Sequence, residues 1–98
     1  MAEETFPAGE SDYASHPGAL LAEELEARGL SQRELARRIG RPFQVVNEIT
    51  RERKSITAVT AVQLKGELGV QAYLWLAMQA QYDLVAARRK LAEASPVS

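Results

Sequence analysis

The sequence predicts an all-α domain of five helices, with a long C-terminal helix and a disordered acidic N-terminal tail. Three observations carry this reading. Apolar residues recur at three- and four-residue spacing from Leu20 to Val85. Glycines at 29, 40 and 69 punctuate that pattern where helices should stop. No segment alternates as a strand would, and the few β-branched residues fall on helical stripes.

Residues 1 to about 15 interleave Pro7, Gly9, Ser11 and Ser15 with acids and show no period, so they are read as disordered. The ordered domain is read as residues 16–94, with 95–98 as a C-terminal tail. A first helix is expected from Pro17 to Arg28, with Leu20, Leu21 and Leu25 inward and Gly29 as its end. A second should run from Gln32 to Ile39. Ser31 is its N-cap, and Glu34 three residues on completes a capping box. Leu35, Ala36 and Ile39 make its apolar stripe, and the small Ala36 suits a close helix crossing. Gly40 can take a positive φ and stop it.

A third helix is expected from about Pro42 to Thr50, with Pro42 in its first turn, where a missing N–H costs nothing. Val46 and Ile49 point inward. Phe43, Gln44, Asn47, Glu48 and Arg51 are left outward. Arg51–Ile56 forms a basic turn. Thr57 caps a fourth helix with Ala61, Leu64 and Leu68 inward and Gly69 as its stop. The fifth, from about Gln71 to Ala94, would measure ~35 Å.

Residues 31–49 therefore read as a helix, a tight turn and a second helix. Many all-α proteins contain an ordinary helical hairpin. Here the capping box, the small residue, the glycine turn and the apolar pair occur together, which favours a DNA-reading helix-turn-helix. Charge points the same way. The net charge is only −1, yet residues 1–27 carry seven acids and no Lys or Arg, and residues 28–54 carry eight bases against three acids. Those bases are Arg28, Arg33, Arg37, Arg38, Arg41, Arg51, Arg53 and Lys54. Contact with phosphates needs such a local excess whatever the overall balance. The alternative is a solvated basic face.

The fifth helix is broad in its apolar character: Tyr73, Leu74, Trp75, Leu76, Met78, Tyr82, Leu84 and Val85. Trp75, Met78, Tyr82 and Val85 form one stripe and are the candidate dimerisation residues. A two-fold homodimer would present two reading helices to half-sites ~34 Å apart. The alternative is an aromatic-rich core helix in a monomer.

The composition excludes several functions. Without cysteine there is no disulfide or thiolate metal site. No apolar run is long enough to span a membrane. The acidic start, MAEETFPAGESDY, is no signal peptide. A cytoplasmic protein is the simplest expectation. One histidine, His16, and no glycine-rich phosphate loop leave no catalytic set, cofactor site or metal site. His16 reads as a helix-start residue, and Glu23, Glu24 and Glu26 as a solvated helix face.

The runs HPGALLAEELEARGLSQRELARRIG, VVNEI, SITAVTAVQLKGELG and YLWLAMQAQYDL, in this order, resemble the HigA-type antitoxins. These are small XRE-type, lambda-repressor-like helix-turn-helix proteins. The resemblance covers about residues 16 to 89. It implies a five-helix domain that dimerises, binds the major groove of its own double-stranded operator and pairs with a RelE-like, HigB-type mRNA-cleaving toxin. By the same resemblance, Gln32 lies near a phosphate, and Phe43, Gln44 and Asn47 face bases. Arg41, Arg51, Arg53 and Lys54 fall where the DNA backbone is contacted. Gln44 can pair bidentately with adenine, whereas Phe43 can only touch a thymine methyl or wedge against sugar. Glu48 either accepts from a cytosine amino group or, the favoured use, holds Arg51 or Arg41 in place. The chain departs from the family pattern at Phe43 and Val45, where polar or basic residues are usual. It also has Arg51-Glu52-Arg53 where Asn-Gly-Lys is usual.

Three further readings stay open at this point: a repressor with no toxin, an interaction module that has lost DNA binding, and, weakest, an enzyme. The acidic stretch 1–15 could meet a basic partner, serve as a protease target or simply aid solubility.

Overall fold

The computed structural model describes residues 14–94. It contains α1 (Pro17–Arg28), α2 (Gln32–Ile39), α3 (Phe43–Thr50), α4 (Ala58–Leu68) and α5 (Ala72–Ala94), with no strand among the described residues. The expected acidic tail, apart from Ala14 and Ser15, and the C-terminal tail at 95–98 lie outside the described residues.

Local chemistry sets the helix starts. The His16 Nδ1 accepts from the Gly18 N–H at 2.9 Å and caps α1, while Pro17 has no N–H to satisfy. Burial pushes the His16 pKa down, against the opposing fields of Glu52 and Asp83, which favours the neutral ring this cap requires. Ser31 Oγ accepts from the Glu34 N–H at 3.0 Å, and Thr57 Oγ1 accepts from the Thr60 N–H at 3.3 Å. A cap of this kind is worth about 1 kcal/mol. Two expectations change. Glu34 does not turn back to complete a capping box, because its carboxylate binds Arg37 and Arg38. Pro42 is the N-cap of α3 rather than its first residue, with extended backbone at ψ 147°.

Three helices end in the same pair of backbone bonds. Leu30 N–H donates to Leu25 and Gly29 N–H to Glu26. Arg41 and Gly40 repeat this onto Ala36 and Arg37, and Arg53 and Glu52 repeat it onto Glu48 and Ile49. The motif needs a left-handed residue at its centre. Gly29 and Gly40 supply it easily, but after α3 the residue is Glu52, at φ 63°. The turn that follows the third helix therefore keeps a glycine-like geometry without the glycine.

The core gathers Leu21, Leu35, Val46, Ile49, Leu64 and Trp75 from all five helices. α2 packs on α3, α3 on α1, and α4 on both α5 and α2. Arg28 joins the ends of α1 and α4 by donating to the Leu68 carbonyl at 2.6 Å. The α5 stripe is a correction. Trp75 is fully buried and Val85 nearly so, inside the chain's own core. Met78 and Tyr82 are half-buried, and the Tyr82 ring meets His16 edge-on at 4.7 Å. Trp75 and Val85 are thus spent on their own chain, while Met78 and Tyr82 keep part of their surface exposed. The exposed apolar side chains of α5 are instead Tyr73, Leu74, Leu84 and Leu91.

Candidate nucleic-acid interface

α3 buries Val46 and Ile49 and leaves Gln44, Glu48 and Arg51 exposed along one side, one helical turn apart. No side chain caps its first turn. Free backbone N–H groups and a bare polar face suit contact with an anionic groove.

The helix is fixed to α2 by a polar network. Gln32 Nε2 donates to Thr50 Oγ1 at 3.2 Å, and Asn47 Nδ2 donates to Gln32 Oε1 at 3.1 Å. The Thr50 hydroxyl donates to the Asn47 carbonyl at 2.8 Å. Gln32 and Asn47 thus meet and partly orient each other, a contact that the spacing does not show. Asn47 is half-buried and Gln44 is exposed. Thr50 was missed from sequence; its place three residues after Asn47 was the available signal.

At the other end of the face, the Arg33 guanidinium carbon lies 4.4 Å from the centre of the Phe43 ring. Phe43 is half-buried beneath this cation and is not a free wedge. Arg33 was not among the expected contact residues, because nothing in the spacing showed that it would reach across to α3.

The basic block divides into occupied and free cations. Arg28 pairs with Glu24 at 2.9 Å. Arg37 and Arg38 both bind Glu34, whose carboxyl is held at about 2 by those two hydrogen bonds. Arg41 Nη1 donates to Thr60 Oγ1 at 3.0 Å and to Gln63 Oε1 at 3.1 Å. It is half-buried against α4, so the expected backbone contact is largely taken up by an internal tie. Arg33, Arg51, Arg53 and Lys54 are exposed and have no carboxylate partner among the described residues. Glu48 holds neither Arg41 nor Arg51, contrary to the favoured expectation: Arg41 is engaged on α4, and no ion pair joins Glu48 to Arg51.

The basic turn is itself anchored. The Ile56 N–H donates to the buried Gln79 Oε1 at 2.8 Å, and Gln79 Nε2 donates to Asp83 at 3.1 Å. α5 thereby fixes the segment that carries three of the four free cations.

The family profile described as helix-turn-helix matches residues 21–75, more than half of the chain. Virulence-associated protein I of Dichelobacter nodosus is 44% identical over 82 residues, spanning 82% of this chain and 76% of that protein. An addiction-module antidote protein of the HigA family from Coxiella burnetii is 32% identical, covering 86% of this chain and 97% of that one, with a TM-score of 0.71. The chain belongs to the HigA-type, XRE-class helix-turn-helix family. The Pseudomonas aeruginosa antitoxin HigA, solved with the higBA promoter, is 28% identical with a TM-score of 0.78, over 88% of this chain and 100% of that one. The lambda-repressor-like fold is thus shown, and α2 and α3 are its helix-turn-helix. Among the described residues, no helix is long and apolar enough to cross a membrane, and no group of side chains is suited to hold a metal.

Proposed function

We propose that this protein is the antitoxin of a type II toxin–antitoxin pair. It represses its own operon as a homodimer and neutralises a RelE-like, HigB-type toxin in the cytoplasm. α3 enters the major groove of the operator. Gln44 reads bases, Gln32 and Asn47 assist from the α2–α3 junction, and Arg51, Arg53 and Lys54 anchor phosphates.

The observation that carries this reading is the placement of the free cations. Of the eight bases in residues 28–54, the exposed and unpaired ones lie at the two ends of α3, with exposed Gln44 on the same helix. A merely solvated face would give no reason for the paired bases to fall elsewhere. The exposed Tyr73, Leu74, Leu84 and Leu91 support a second copy as partner of α5. The toxin partner rests on kinship with antidote proteins.

Titration of a duplex from the protein's own promoter against salt tests the repressor. A preferred site and a steep fall of affinity with salt are expected. Binding with no preference and no salt slope would leave only an interaction module. Co-expression with the product of the adjacent reading frame tests the antitoxin: a stable complex and restored growth are expected, and free coexistence of the two would reduce the protein to a stand-alone repressor.

A further inference from the structure

The first residue of α3 is Phe43, a side chain that can neither donate nor accept a hydrogen bond. In a helix-turn-helix, the N-terminal residues of the second helix meet the base edges. That position therefore offers no hydrogen bond to a base edge in this chain. The structure fills it from another helix. Arg33, on α2, lays its guanidinium over the Phe43 ring at 4.4 Å. No carboxylate occupies Arg33, unlike Arg28, Arg37 and Arg38. A guanidinium stacked on a ring keeps its N–H donors directed outward in its own plane, with less side-chain freedom left to lose on binding.

We propose that Arg33, held over the Phe43 ring, is a guanine-reading residue of this protein. Its planar fork matches the O6 and N7 acceptors that guanine presents in the major groove. Phe43 is then a positioning residue, and the pair replaces a polar reader at the start of α3. The inference rests on the operator-binding reading above and adds to it a residue and the base it selects.

The test uses the full chain and a duplex from its own promoter. After footprinting, each guanine in the protected region is replaced singly by 7-deazaguanine, which lacks the N7 acceptor. With the wild type, one such replacement per half-site should weaken binding by about tenfold. With Arg33→Lys, which keeps the charge but loses the fork, that replacement should have no effect, while the dependence on salt is retained. Phe43→Leu should lose the same discrimination although Arg33 is intact, because the guanidinium is no longer held. Thermal melts confirm that both variants fold.

Wild-type-like profiles in both variants would overturn the proposal. So would a uniform loss of affinity in Arg33→Ala with a salt slope lower by about one unit, which marks a phosphate contact. A wild type with no footprint would overturn the operator reading itself, and this inference with it.

Discussion

The Ile49 carbonyl at the end of α3 lies directly against the Cα of Gly18 in the first turn of α1. A Cβ placed on Gly18 would stand 1.8 Å from the Ile49 oxygen and 3.1 Å from the capping His16 Nδ1. Backbone therefore meets backbone, and neither side can yield as a flexible side chain would. This contact sets how α3 is seated on the rest of the chain.

Gly18→Ala should accordingly destabilise the protein by about 3 kcal/mol, through overpacking that forces α1 and α3 apart. Urea denaturation measures this directly. A loss below about 0.5 kcal/mol, the range of ordinary surface changes, would show that the two helices slide apart freely.

Glu52 is the reverse case, where glycine is missing. It stands at φ 63°, the position taken by Gly29 and Gly40 in the other two turns of this kind. Glu52→Gly should stabilise the fold by about 1 kcal/mol by relieving the left-handed strain. It should also tighten DNA binding, since an acid beside Arg51 and Arg53, the proposed phosphate anchors, is removed. Urea midpoints and promoter affinity, measured on one preparation, check both effects.

The contrast shows what the sequence could convey. Helix existence, order and inward stripes were legible because caps, glycines and three–four spacing are local properties of the chain. The Gly29, Gly40 and Gly69 stops and the buried Leu21, Leu35 and Val46 all follow from them. The partners of polar and aromatic side chains were not legible, because packing between helices chooses among several equally spaced candidates. Glu34 serves Arg37 and Arg38 instead of its own cap, Arg41 turns to α4, and Trp75 enters the core rather than a dimer seam. The cation on Phe43 comes from α2, which no pattern within α3 could reveal.

Glu34 makes a pH prediction. Its folded carboxyl titrates at about 2, below the ordinary 4.5, chiefly because Arg37 and Arg38 donate to it. A depressed carboxylate contributes stability that is present above its unfolded pKa and is lost as pH falls through the folded one. Its contribution should therefore fade between about pH 4.5 and pH 2, and Glu34→Gln should remove that part of the acid dependence. NMR titration of the Glu34 carboxyl is the check; an ordinary midpoint would mean that the two arginines do not hold it in solution.

Gln79 should matter to the basic turn out of proportion to its distance from α3. Gln79→Leu leaves the buried Ile56 N–H without its acceptor, which costs about 1–3 kcal/mol. Hydrogen exchange at Ile56 should quicken, and the salt-dependent part of DNA binding should weaken as residues 51–54 lose their anchor. Unchanged exchange at Ile56 would show that another group satisfies this donor.

The central claim is that α3 reads bases through Gln44 while the turn after it grips phosphates through Arg53. Affinities of Gln44→Ala and Arg53→Ala for the protein's own promoter and for an unrelated duplex, across a salt series, address it most directly. Gln44→Ala should lose about 1–3 kcal/mol of specific binding and leave non-specific binding intact. Arg53→Ala should weaken both and lower the salt slope by about one unit. Identical behaviour of the two variants would contradict the account.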